Sequence, residues 1–221
     1  MARGNHTDDV GYFEVAVSLD FPFTLAGWVR RSDVSVATFT TLINKANASA
    51  RGFYIRHNTS GGGDFVTLNV GGSPGSVTVT PTGTASSLGW NHVGAVVTAT
   101  NARSVWLNGQ GKVSDTTSIS TDPTTMTFLQ PGSFVYNGGA TISYGDGWVA
   151  ETGLWDVALS DGEMEALGKG FPCHLIRPDN LLVHLPMVRG ATDLINGVEA
   201  TTTGNAVGTY DHPPVMAAIP V

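Results

Sequence analysis

Apolar and polar residues alternate in short runs along most of this chain, and the runs are separated by glycine, proline and asparagine. Residues 23–30 are the clearest case. Phe23, Leu25 and Val29 fall on one face and Thr24, Trp28 and Arg30 on the other, the period of two that a strand requires. The same reading predicts strands over 11–20, 40–44, 52–57, 65–70, 76–80, 92–98, 104–107, 125–129, 140–143 and 148–157. Turn-forming stretches at 47–49, 60–64 and 71–75 divide several of them. Asn108-Gly109 is a tight-turn signal, because both residues tolerate positive φ. One short helix is predicted over 160–168. Ser160 and Glu163 form a capping box, Leu159 and Met164 are placed as a hydrophobic staple, Leu167 continues the stripe, and Gly168 and Gly170 end it. Beyond it the chain is punctuated by prolines at 178, 186, 213, 214 and 220, which oppose helix. There we expect a strand at 181–185, a hairpin around Asn196-Gly197 within 192–203, and an extended arm over 210–221.

These elements describe an all-β protein, a two-sheet antiparallel sandwich with one short helix. Residues 1–170 make its core, and residues 171–221 complete the sandwich and form a C-terminal arm. The tail carries too few apolar residues for a core of its own. A chain of 221 residues buries about 70% of its unfolded surface, enough for such a sandwich. The 28 glycines and 11 prolines fit many short strands joined by turns. Charged residues are only 13% of the chain, and the net charge of −7 opposes nucleic acid as a partner, because phosphate binding needs a basic face. No stretch approaches the ~18 apolar residues of a membrane span. Cys173 is the only cysteine, so no intrachain disulfide forms, and synthesis in a reducing cytoplasm is expected.

Four segments in order carry a resemblance. Residues 23–30 resemble the early core strand of laminin-G-like jelly rolls. Residues 89–96, with Trp90 near the start, and 105–109, ending in Asn108-Gly109, resemble their central strands and hairpin. Residues 146–155, followed by 158–167, resemble the closing strand and helix. The chain thus looks like a concanavalin A-like, laminin-G-like jelly roll. The opening residues and the runs from Phe171-Pro172 through Leu181 to Asp211-His212-Pro213-Pro214 resemble such proteins of tailed phages. That likeness implies a non-enzymatic virion protein made in the host cytoplasm, a decoration of the capsid surface. Its partners would be the major capsid protein or another particle component, and it would be a homo-oligomer on the particle. The alternative is a carbohydrate-binding adhesion module of a phage fibre.

Candidate chemistry is sparse. Hydrolases of this fold class carry a carboxylate pair facing one cleft, ~5–5.5 Å apart in retaining enzymes. The nearest equivalent, Glu151 and Asp156, faces opposite sides of its strand unless a bulge intervenes. Glu163 and Glu165 fall in the helix, and Asp8 and Asp9 near the terminus. Gly71-Gly-Ser73-Pro74-Gly75 fits a nucleophile elbow in letters only: Pro74 has no N–H for an oxyanion, and a strand follows in place of a helix. We therefore expect no enzyme. The six histidines (6, 57, 92, 174, 184 and 212) show no zinc spacing, and Cys173-His174 stands alone. The resemblance implies a calcium ion at the rim, for which Asp146 or Asp8 are candidates. Trp90 and Trp106 fall on structural motif positions, and Trp28 is expected inside. Tyr54, Tyr144, Trp148 and Trp155 are the candidates for stacking on a sugar ring.

Overall fold

The computed structural model describes residues 2–5, 11–33, 38–43, 52–60, 63–71, 77–136, 141–144, 147–187, 191–204 and 208–215. Its strands, in chain order, begin with β1 (Ala2–Asn5), β2 (Gly11–Ala16), β3 (Phe23–Arg31), β4 (Thr38–Ile43), β5 (Gly52–Ser60), β6 (Gly63–Gly71) and β7 (Val77–Val79). Next come β8 (Asn91–Ala99), β9 (Ala102–Leu107), β10 (Gln110–Asp115), β11 (Phe128–Pro131), β12 (Ser133–Tyr136), β13 (Thr141–Tyr144) and β14 (Gly147–Trp155). Helix α1 (Asp161–Gly168) precedes β15 (Leu181–Leu185), β16 (Thr192–Asp193), β17 (Val198–Glu199), β18 (Thr201–Gly204) and β19 (Gly208–Tyr210).

Two antiparallel sheets dominate. Sheet I runs β10-β9-β8-β3-β14-β1-β19, with β15 also on β14, and sheet II runs β18-β2-β11-β4-β5-β6-β7. β12–β13 and β16–β17 are separate hairpins. The tail therefore feeds both sheets: β15 and β19 join sheet I, and β18 joins sheet II. The main core lies between the sheets. Phe23, Leu25, Val29, Val93, Val97 and Leu154 from sheet I meet Phe13, Phe53, Ile55, Leu68 and Leu129 from sheet II. The Phe23 and Phe53 rings pack edge to face at 4.9 Å.

The outer face of sheet I is covered as well. Alternation would leave these positions in water, yet Ala26, Trp28, Val96, Trp106, Ala150 and Trp155 are all buried. Helix α1, with Leu159 just before it and Met164 and Leu167 within it, supplies part of the cover, these three packing with Val96, Trp106 and Trp155. Its start is as the sequence predicts: the Ser160 side chain accepts from the Glu163 amide, and Glu163 accepts from the Ser160 amide. The helix sits close because glycine allows it. A Cβ at Gly168 would stand 2.3 Å from the Gly109 nitrogen. Gly109 itself has φ +72 and Asn108 φ +52, the backbone of the expected tight turn. Trp28 is buried as expected, but on this second face, edge-on to His92, and not between the sheets.

Residues 211–215 complete the cover instead of leaving the molecule as an arm. The Trp90 indole donates to the Asp211 carbonyl at 2.9 Å, and Val215, like Trp148, packs against the cluster of Trp28 and Ala150. Residues 216–221 lie outside the described set.

Candidate functional site

Two regions gather chemistry, one on each outer face. On sheet II, register aligns one polar row across the full breadth of the sheet. Thr201 pairs with Glu14, and Gln130 follows in register with Glu14 and pairs with Thr41. Thr41 in turn pairs with Tyr54, Tyr54 with Asn69, and Asn69 with Thr78. The flanking positions Phe13, Val15, Leu129, Phe53, Ile55, Leu68, Val70 and Val79 are core, so period-two alternation sets Glu14, Gln130, Tyr54 and Thr78 on the outer face. At about 4.8 Å per strand it extends roughly 29 Å.

Part of the row is sunk below the surface. Gln130 is fully buried, and its amide donates to the Glu14 carboxylate at 2.5 Å. Tyr54 is half-buried, and burial raises its phenol above the ordinary range against the opposing charge of Arg56. Arg56 lies two residues along β5 on the same face, also half-buried. An aromatic ring, a carboxylate, an amide and a guanidinium on one face can grip a hydroxyl-rich ligand: the ring stacks on C–H edges while the polar groups exchange hydrogen bonds.

The second region lies beneath residues 211–215 on sheet I. Between Ala150 and Gly153 the β3–β14 register shifts, and Glu151 at this bulge has φ +48, unusual for a side chain of its size. Before the bulge Val149 faces the core, and after it Leu154 does. The Glu151 carboxylate, 7% exposed, meets the His184 Nε2 at 2.8 Å and the His212 Nε2 at 3.5 Å. His212 is held at 3.1 Å from the Pro186 carbonyl, and the Cys173 thiol donates to the Glu151 carbonyl at 3.3 Å. The His184 amide is fixed by Asp193 at 2.9 Å. Ligating atoms of Glu151, Cys173 and His184 all lie within 4.8 Å of one another.

A thiol, an imidazole and a carboxylate in contact suggest nucleophilic catalysis, but the physical state of the thiol opposes it. Burial, reinforced by the Glu151 charge, pushes the Cys173 thiol well up, away from the reactive thiolate. The bulge that would let Glu151 share a face with Asp156 does exist. Even so, the two carboxylates serve different partners: Glu151 is buried on His184, whereas Asp156 is exposed and accepts from Asn180 at 2.9 Å.

The sequence-derived stacking candidates separate. Tyr54 lies in the sheet II row. Trp148 is half-buried on the opposite face, where Arg30 stands 5.6 Å above its ring. Tyr144 ends β13, and its side chain is outside the described set. Trp155 is corrected: it is fully buried, its ring against Gly153 and its indole donating to the Ile176 carbonyl at 2.8 Å, so no sugar reaches it. The calcium candidates Asp8 and Asp146 lie outside the described residues, as does Ser73. β6 and β7 pair antiparallel across residues 72–76, and a strand does follow Ser73.

The buried cluster escaped sequence reasoning because its members sit 22, 11 and 28 residues apart, on a bulge, a 3-10 turn (Cys173–Leu175), a strand and the tail. Gly153 closes the register shift, but the residue that takes the left-handed conformation is Glu151, a residue type that gives no sign of it.

No protein-family model matches this chain, and no curated protein matches its sequence. Its fold is shared with solved structures at low identity. The native heptameric SAP-like pentraxin from Limulus polyphemus superposes with a TM-score of 0.64 at 12% identity, covering 93% of this chain and 90% of that one. The CBM40 of Ruminococcus gnavus IT-sialidase, bound to α2,3 sialyllactose, gives 0.55 at 12% identity, covering 72% and 98%. A leech intramolecular trans-sialidase complexed with 2,7-anhydro-Neu5Ac gives 0.53 at 14% identity, covering 72% of this chain and 27% of that one. The chain is a two-sheet antiparallel jelly-roll sandwich, the fold it shares with these structures.

Proposed function

We propose that this protein is a non-enzymatic, lectin-like module that binds glycan along the outer face of sheet II. The observation that carries the reading is the sheet-wide polar row through Glu14, Gln130 and Tyr54, half-sunk and flanked by Arg56. A solvated outer face has no need to bury an amide or half-bury a tyrosine. A recessed row with one aromatic ring is what a chain of sugar rings requires. Support from fold comes from the CBM40 domain, whose structure holds sialyllactose. Fold alone does not carry function, so the row is the argument.

The test is a glycan array on the purified chain, with and without calcium, followed by calorimetry on the best binder. Tyr54→Ala and Glu14→Gln should each weaken binding by about tenfold or more, the loss of one good contact, while Trp148→Ala leaves it unchanged. Loss with Trp148→Ala alone would move the site to sheet I, and silence across a broad array would retire the proposal.

The likeness of the chain's ends to phage proteins makes a virion the proposed setting, with the module displayed on the particle as a homo-oligomer. Counting its copies in purified particles tests this; none on the particle refutes it.

A further inference from the structure

We infer that Glu151, Cys173, His184 and His212 form a structural site for a divalent transition-metal ion, zinc by ligand chemistry. Its role is to fasten the C-terminal segment to sheet I. The inference is independent of glycan binding, since the site lies on the opposite sheet.

Geometry comes first. Zinc bonds of about 2.0–2.3 Å at tetrahedral angles separate the ligand atoms by roughly 3.3–3.7 Å. Here the Glu151 carboxylate stands 2.8 Å from the His184 Nε2, and the ligating atoms of Glu151, Cys173 and His184 all lie within 4.8 Å of one another. Those three come within about an ångström of the required spacing, and His212, whose Nε2 is 3.5 Å from the same carboxylate, is the group that reaches the site from the C-terminal segment. The backbone is already committed: Glu151 holds a left-handed conformation at a bulge, and residues in such conformations persist only where the surroundings over-determine them.

Charge points the same way. Glu151, Cys173 and His184 are all buried, so an ion held among them must be neutralised by its own ligands. A divalent cation binds the thiol as thiolate, its proton passing to solvent. Thiolate and carboxylate then neutralise the ion between them, and two imidazoles fill the remaining positions as neutral ligands. The ligand set of sulfur, nitrogen and one carboxylate oxygen suits zinc and excludes the oxygen-only preference of calcium and magnesium. Four protein ligands close the shell, as in structural sites. Three ligands belong to sheet I and the turn beside it, and His212 belongs to the segment lying across them. Occupancy would therefore hold residues 211–215 down.

The experiment uses the tag-free full chain, stripped with chelator and titrated with zinc by calorimetry, with metal content read by mass spectrometry. One zinc per chain is expected, with a rise in melting temperature and slower proteolysis of the C-terminal segment. Cys173→Ser and His184→Gln should abolish binding, and His212→Asn should weaken it and remove the proteolytic protection. Absence of stoichiometric zinc, or its retention by Cys173→Ser, would overturn the site. Should those variants not fold, cobalt substitution of the unaltered chain decides. A thiolate-to-cobalt charge-transfer band with intense tetrahedral visible bands supports the site, and a spectrum without sulfur ligation refutes it.

Discussion

The two outer faces of this sandwich have opposite fates. Sheet I buries both of its faces in the middle: β3, β8 and β14 are buried along almost their whole lengths, whereas β10 at the edge alternates between exposed and half-buried residues. Its second face is packed with Trp28, Trp106 and Trp155 beneath helix α1 and the C-terminal segment. Sheet II instead presents a polar row through Thr201, Glu14, Gln130, Tyr54 and Thr78, beyond which no described helix is packed. The difference teaches where stability resides and which face the proposed recognition would use. A covered face contributes free energy in proportion to the apolar area it removes from water. A face left polar contributes little of that, and its groups are the ones the proposed glycan site would use.

Substitutions on the two faces should therefore diverge, and the largest effect belongs to sheet I. Trp155→Ala empties a fully buried site between Gly153, Cys173 and the helix, and should cost about 3–5 kcal/mol. For a domain of this size that lowers the melting temperature by about 6–20 °C. A thermal scan showing a drop of only a degree or two would mean that the cover is dispensable.

His92 sharpens the comparison through pH. Burial beside Trp28 lowers its imidazole to about 3, so the folded protein holds it neutral. The unfolded chain protonates it near 6.5. Its contribution is thus complete above pH 6.5 and is lost progressively as the pH falls from there toward 3. Between pH 7 and pH 5 the loss is about 2 kcal/mol, or roughly 4–8 °C. His92→Leu should flatten this part of the stability profile, and parallel profiles for the two proteins would show that His92 is not held neutral.

On sheet II the expected effect on stability is smallest. Tyr54→Ala should cost about 1 kcal/mol or less, because the ring is only half-buried. Its large effect is reserved for glycan affinity. A stability loss matching that of Trp155→Ala would make the row a packing feature and erase the contrast between the faces.

What the sequence determined by itself is local and periodic. Alternation located most strands of both sheets within a few residues, including β15 over Leu181–Leu185. The Asn108-Gly109 turn and the Ser160–Glu163 capping box were legible because their chemistry acts over two to four residues. The resemblance to laminin-G-like jelly rolls rested on the same strands and helix, and the two-sheet sandwich agrees with it. Register and long-range packing belong to the tertiary structure alone. Nothing in the sequence of β14 says that Trp155 will be roofed over, because the cover arrives from residues 159–181. The polar row exists only when six strand pairings align residues scattered from Glu14 to Thr201. The meeting of Glu151, Cys173, His184 and His212 needs a bulge, a turn, a strand and a returning tail at once. Contacts between segments far apart in sequence leave no periodic trace in any one of them, so only the folded chain brings them into view.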